Sequence, residues 1–199
     1  LYMSDITKIY ELKITLSGIK PTIYRTIQIE ENRTFFELHA AIQIAFGWEN
    51  SHLHIFEIGD DRIGMSDFDE FEDDHTIEEK TIRLFQTGLN EKDKFEYIYD
   101  FGDHWVHEIQ VTKILEPKKT FYPKCIKGTM NRPPEDCGGI YGFEDFKEIM
   151  GNRKHPEFKE MKTWYGRMYD EELFLKDQIN EDFKNFDAIA EEMLLDLED

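Results

Sequence analysis

The chain is short of cysteine and of basic charge, and it has no long apolar run. Each shortage closes off a class of protein. Only two cysteines, Cys125 and Cys137, occur in 199 residues. Without a Cys-x-x-Cys pair they form neither a secreted disulfide framework nor a standard zinc knuckle, and in a reducing compartment they are expected as free thiols. Lysine and arginine number 24 against 43 aspartates and glutamates, a formal net charge of −19. Such a field repels phosphate backbones, and no basic helix or helix-turn-helix pattern offsets it, so direct DNA binding is disfavoured. No apolar run approaches the roughly 18 residues of a membrane helix, and the first residues lack the basic flank and apolar stretch of a secretory leader. The expectation is a cytoplasmic protein without membrane contact. Phosphate loop, nucleophile elbow and dinucleotide fingerprint are all missing, so no common cofactor is expected.

What is present suffices for a core: 40% hydrophobic and 14% aromatic residues. Residues 9–16 and 22–29 alternate polar and apolar positions around Gly18-Ile19-Lys20-Pro21, which reads as a β-hairpin with Ile23, Arg25 and Ile27 on one face. Thr34-Phe35-Phe36-Glu37 has the form of a capping box, and Leu38, Ala41, Ile42 and Ala45 give a helical stripe that Gly47 ends. Strands are expected at 52–58, 80–85, 94–99 and 105–115. Residues 67–79 hold eight carboxylates in thirteen positions and read as a solvated loop. They fail the calcium-loop spacing, because Phe71 and Glu72 fall where an oxygen ligand and glycine are required. After a Pro/Gly-rich loop at 117–141, a stripe of Phe143, Phe146, Ile149 and Met150 predicts a helix, Pro156 suits the first turn of another, and apolar steps run from Leu175 to Leu197. The fold class is α+β: a mixed or antiparallel sheet with a helix packed after the first hairpin and a helical C-terminal third. The division is a tail at 1–8, a sheet-rich part at 9–116, the loop at 117–141 and helices at 142–199, all within one domain.

Several blocks resemble a known family. Tyr10-Glu11-Leu12-Lys13-Ile14, Leu38-His39, Phe46-Gly47-Trp48 and His52-Leu53-His54 are similar to the opening of the plasmid pRiA-four-b ORF-three-like family. Tyr99-Asp100-Phe101-Gly102-Asp103-His104-Trp105-Val106-His107 resembles its central block and Pro133-Pro134-Glu135-Asp136-Cys137-Gly138-Gly139 its second. Trp164-Tyr165-Gly166, Phe174 and Asn180 match its helical end. The resemblance implies an α+β protein of plasmids, chromosomes and transposon passengers, with some members labelled resolvase-like. The residues do not support that label, since recombination needs a DNA-binding module and arginines for the scissile phosphate. Tyr24 stands where the family usually has Trp, and Arg132 where many members carry Cys, which weakens a metal-centre reading of that block.

Chemistry has a few places to live, each with a structural alternative. Asp100 and Asp103 flank a tight turn, and His107 shares an apolar face with Trp105, Ile109 and Val111. It is either a metal ligand or general base oriented by one of those aspartates, or a satisfied core histidine. Its zincin-like start fails at Val111. Alternation places His52 and His54 on one strand face, a spacing that permits chelation of one ion without requiring it. Cys125 and Cys137 with His104 or His107 form a weaker zinc candidate than a pair of core thiols. Glu135 and Asp136, in the loop stiffened by Pro133-Pro134, are candidate cation ligands or an acid–base pair. Equally, they cap the following helix. Arg25 is expected to pair with one of these carboxylates, and Trp48 and Trp164 to be core or pocket walls.

Two functions fit. The first expectation is a non-enzymatic interaction or accessory module of mobile-element origin, whose acidic surface suits a basic protein partner. The alternative is a metal-dependent hydrolase with His52, His54, Asp100, Asp103, His107, Glu135 and Asp136 on one cleft, using a divalent metal. Convergence of three or more of these side chains separates the two. The oligomeric state is not readable from the sequence.

Overall fold

The hairpin forms as its turn chemistry dictates. Strands β1 (Ile9–Leu16) and β2 (Tyr24–Glu30) pair antiparallel, with Gly18 at φ 77° in the connection. The computed structural model describes residues 7–65 and 76–196.

Helix α1 (Phe35–Phe46) begins with the expected capping box. Thr34 Oγ1 accepts the Glu37 amide at 3.2 Å, and Glu37 Oε2 accepts the Thr34 amide at 2.7 Å. Gly47, at φ 81°, ends it with a left-handed turn. Thr34→Ala orphans one of these amides and should lower stability by about 1 kcal/mol. The measurement is a lower urea midpoint at unchanged slope, and an unmoved midpoint would mean that solvent caps the helix equally well. Ten of the twelve helical residues are buried, His39 and Gln43 among them. α1 is therefore enclosed on more than the one stripe the spacing predicts, because the C-terminal helices at Lys176–Lys184 and Phe186–Asp196 cover it as well as the sheet.

The remaining strands are β3 (His54–Ile58), β4 (Asp61–Gly64), β5 (Thr76–Glu78), β6 (Lys94–Tyr99), β7 (Trp105–Leu115) and β8 (Lys124–Thr129). They complete one eight-stranded sheet in the order β5-β4-β3-β6-β7-β1-β2-β8. All pairings are antiparallel except β4 with β5. The sheet is mixed and the fold is α+β.

Three sequence-based expectations need correction. Residues 80–85 do not form a strand: their backbone bonds go to Arg33 and Glu31 and to the amide of Phe35, and the segment enters a 3₁₀ turn at Leu84–Thr87. Ile82 and Leu84 are apolar because they anchor this crossing. The Pro/Gly loop is not irregular throughout, because β8 pairs with β2 and has no proline inside it. In the acidic segment, residues 66–75 lie outside the described residues, but Thr76–Glu78 is a strand and Glu79 is fully buried.

The C-terminal third holds α2 (Gly139–Gly151), α3 (Phe158–Tyr165), α4 (Lys176–Lys184) and α5 (Phe186–Asp196). Phe143, Phe146, Ile149 and Met150 are all buried, as their spacing predicts. The last apolar run divides at Asn185, and Pro156 precedes α3 without entering it. Arg33 meets Glu30, Glu37 and Asp187 at 3.1, 2.8 and 2.5 Å, tying α5 to the start of α1. Among the described residues no helix is long and apolar enough to cross a membrane.

Candidate metal centre and the adjoining cleft

Three loops meet at one end of the sheet: the exit of α1, the β6–β7 turn and the segment before α2. Asp100 sits at φ 58°, its amide bonds Leu53 O at 2.9 Å, and its Oδ1 accepts the Gly102 amide at 2.9 Å. Asp103 Oδ2 accepts the Gly138 amide at 3.1 Å. Gly139, at φ 68°, lies so close that a Cβ there would fall 2.7 Å from the Asp103 carbonyl oxygen. Only glycine lets the two blocks touch. From the other side Arg132 donates to Gly47 O at 2.7 Å and stacks over Trp48 at 5.0 Å, and Glu135 Oε1 accepts the Glu49 amide at 2.8 Å.

The result is a cluster around His52. Its Nε2 lies 3.0 Å from Asp136 Oδ1, 3.7 Å from Asp100 Oδ2 and 3.9 Å from Glu135 Oε2. One ligand atom each from His52, Asp100 and Asp136 falls within 4.8 Å of the others, the one such group among the described residues. The side chains of Asp100 and Glu135 are 9% and 8% exposed, whereas Asp136 is 70% exposed and closes the cluster from the solvent side. Glu135 Oε2 and His52 Nε2 are buried without a hydrogen-bond partner; Asp136 touches Nε2 outside hydrogen-bond geometry. Burial pushes the Glu135 carboxyl above the usual carboxylate range, against the Glu49 amide and Arg132, which pull it down. A buried carboxylate oxygen left unpaired costs about 1–3 kcal/mol or more. A cation held by one imidazole and these carboxylates would satisfy both orphaned atoms, and the nitrogen and oxygen donors suit zinc, manganese or iron(II).

The other candidates go elsewhere. Asp103 is spent on Gly138. His107 is fully buried: its Nε2 accepts the Trp48 indole N–H at 3.1 Å, and its Nδ1–H donates to the Trp105 and Tyr97 carbonyls at 2.9 and 3.2 Å. Both nitrogens are used, so no lone pair is left for a metal, and burial lowers its pKa to about 4. His52 and His54 do not converge on one ion: His52, just before β3, has its ring beside Tyr99 and its Nε2 on the carboxylate cluster, whereas the His54 ring lies beside Tyr97 and His39. His54 turns into the core, stacks on His39 at 3.5 Å and meets Glu79 Oε2 at 2.7 Å. Cys125 is in β8 and Cys137 in the loop, both free and outside the cluster, with burial pushing their thiols up to about 11 and about 12. Arg25 pairs with no carboxylate among the described residues. Its guanidinium donates to the carbonyls of Ala45, Tyr24, Thr129 and Met130 at 2.9, 2.8, 2.6 and 2.8 Å.

Beside the cluster, and sharing Glu135 and Asp136 with it, opens a cleft of about 510 Å³ whose walls include Arg25, Phe46, Arg132, Trp164 and Arg167. Trp48 is core, while Trp164 is half exposed on the cleft wall. Sequence reasoning missed Arg167 and Glu79. Arg167 follows the Trp164-Tyr165-Gly166 block and was a readable signal, but nothing local marks Glu79 among its acidic neighbours.

The comparisons with known proteins agree on one lineage. The family model described as Plasmid pRiA4b ORF-3-like protein matches residues 8–178. An uncharacterised protein of Sinorhizobium fredii, y4hQ, is 32% identical over 162 residues, which cover 81% of this chain and 82% of the relative. The crystal structure of a protein of unknown function from Methanosarcina mazei Go1, MM3350, superposes with a TM-score of 0.78 at 37% identity, covering 86% of this chain and 97% of that one.

Proposed function

Since the chain belongs to the plasmid pRiA4b ORF-3-like family, whose two relatives above are described as uncharacterised or of unknown function, we propose a function from the geometry: binding of a divalent metal for hydrolytic chemistry. His52, Asp100 and Asp136 are the ligands, with Glu135 as a further ligand or as the base beside the ion. The observation that carries this is the pair of buried, unpartnered atoms, Glu135 Oε2 and His52 Nε2, 3.9 Å apart. A metal at this point would polarise a substrate oxygen or lower the pKa of a bound water toward neutrality. The chain's own contribution is to hold Asp100 with the Gly102 amide, hold Glu135 with the Glu49 amide, and leave the exposed Asp136 as the entry.

Equilibrium dialysis of chelator-treated protein against Mn²⁺ and Zn²⁺ tests this. The expected result is about one ion per chain, with affinity falling at least tenfold in His52→Ala and in Glu135→Gln, because each change removes one of only four donors at the site. His104→Ala, on the same turn but outside the cluster, should bind as the parent does. Absence of stoichiometric binding, or equal binding by all variants, sinks the reading.

The net charge of −19 favours a second reading, an interaction module for a basic protein partner. It predicts binding that weakens steeply with salt and is indifferent to His52→Ala.

A further inference from the structure

One buried hydroxyl touches both sides of the metal site without belonging to its ligand set. Tyr99 ends β6, pairs there with His54 of β3 and Trp105 of β7, and is fully buried. Its ring stands edge-on to the His52 imidazole at 5.8 Å and beside the Trp48 indole at 5.2 Å. Its oxygen accepts the Ser51 amide at 3.1 Å, and its O–H donates to Glu135 Oε1 at 3.3 Å. That polarity is fixed, because an amide N–H only donates and an ionised carboxylate only accepts.

The segment that leads into His52 is held amide by amide. The Gly47 and Trp48 amides bond Gln43 O at 2.8 and 3.0 Å, and the Asn50 amide bonds Gln43 Oε1 at 2.8 Å. The Glu49 amide bears on Glu135 directly, and the Ser51 amide bears on it through the Tyr99 oxygen. On Glu135 itself the two oxygens are treated unequally. Oε1 receives the Glu49 N–H at 2.8 Å and the Tyr99 O–H at 3.3 Å, which fills its two lone-pair directions. Oε2 receives nothing, is buried, and lies 3.9 Å from His52 Nε2. A carboxylate held twice by one oxygen cannot exchange its oxygens without releasing both donors, so the free one stays turned toward His52.

We propose that Tyr99 is a positioning residue of the metal site: together with the Glu49 amide it occupies Glu135 Oε1 and leaves Oε2 alone as the atom offered to the ion. The proposal deepens the metal reading, on which it rests, and assigns Glu135 the part of a single-oxygen ligand.

The test is Mn²⁺ dialysis and the visible spectrum of the Co²⁺-loaded full chain, for the parent, Tyr99→Phe, Glu135→Gln, the double variant and Tyr97→Phe. Tyr99→Phe keeps the ring and removes one oxygen, and it should weaken Mn²⁺ binding about tenfold, as loss of a ligand's own hydrogen-bond partner does. In the Glu135→Gln background the same change should cost less than about twofold, because the hydroxyl then has no carboxylate ligand to hold. At saturating Co²⁺ the bands of Tyr99→Phe should move toward those of Glu135→Gln, a change of ligand set that lost stability alone does not produce. Tyr97 supplies the control. Its hydroxyl, also buried on β6, meets His39 Nδ1 and Gln43 Nε2 at 2.8 and 3.0 Å, so Tyr97→Phe should leave the ion's affinity within about twofold. Parent-like affinity and spectrum in Tyr99→Phe, an undiminished loss in the Glu135→Gln background, or an equal loss in Tyr97→Phe overturns the proposal and leaves the metal reading standing. A parent that binds no ion sinks the metal reading and this inference with it.

Discussion

Arg25→Met should be the most damaging single change in the molecule. The guanidinium serves the carbonyls of Tyr24, Ala45, Thr129 and Met130, which belong to β2, the end of α1, the end of β8 and the loop that follows. Ala45 O lies in the last turn of α1, where carbonyls lose their helical donors. The amide four residues on, that of Glu49, is turned away to Glu135. Removing the guanidinium leaves one buried and three partly buried acceptors without this donor, at about 1–3 kcal/mol for each that water does not reach. The expected loss is on the order of 4 kcal/mol or more, a large part of a typical stability of about 5–15 kcal/mol. Methionine fills the slot between Phe46 and Phe174, so the loss reads hydrogen bonds more than packing. Arg25→Lys should recover little, because one ammonium cannot reach four carbonyls spread around a plane. Urea unfolding decides this, and an Arg25→Met variant within about 1 kcal/mol of the parent would contradict it.

Mild acid should unfold the protein from within. His39, His54 and His107 are buried and neutral, with desolvation lowering their pKa values to about 3, 3 and 4. Their unfolded value is near 6.5, so below it the unfolded chain binds protons that the folded chain refuses. Their contribution is complete above about pH 6.5 and is lost as the pH falls toward 4. Glu79 runs the other way. Burial raises its pKa to about 7, so in the folded state it keeps a proton that the unfolded state releases above about 4.5. It faces His54 at 2.7 Å, and the pair holds one proton folded and one unfolded near pH 5.5, whichever partner carries it. The two contributions cancel. What remains is His39, whose Nδ1 and Nε2 are occupied by the Tyr97 hydroxyl and Asn50 Oδ1 at 2.8 and 2.7 Å, and His107.

Two protons taken up on unfolding correspond to about 2.7 kcal/mol per pH unit. Stability should therefore fall by about 3–4 kcal/mol between pH 6.5 and pH 5. Salt at about 0.5 M screens the acidic surface, whose own protonation would otherwise mask the trend by relieving repulsion. His107→Gln, cheap or costly in itself, should halve the slope. A stability curve flat from pH 7 to pH 5 would mean that these rings take up protons without unfolding the core.

The candidate site shows why some residues could be read in advance and others could not. Asp100 flanks the glycine of a tight turn, and Glu135 and Asp136 lie in a block rich in Gly and Pro, where backbone geometry is unusual enough to mark the sequence. The left-handed Asp100 and Asp136, at φ 58° and 55°, bear this out. His52 was equally visible, but its pairing with His54 was not borne out by the structure, because His54 is held in the core by Glu79 and His39, which no local spacing shows. His107 carries the same local signature as a ligand. Only the positions of Trp48, Trp105 and Tyr97 show that both its nitrogens are spent.

The amino-acid sequence alone determined the capped α1, the first hairpin, the span of β7, the stripe of α2, the α+β class and the family. All of these rest on contacts within a few residues, on the spacing of apolar side chains, or on blocks of neighbouring residues. Only the tertiary structure decided that β8 joins the sheet through a proline-flanked loop, that Glu79 is buried beneath His54, that Arg25 serves carbonyls and not carboxylates, and that His52 stands over Asp100, Glu135 and Asp136. Apart from Arg25 with Tyr24 and Ala45, those pairings join residues roughly 25 to 105 positions apart. What brings such residues together is the burial of one core running from Tyr10 to Ala190, a free energy summed over the whole chain and written in no short stretch of it.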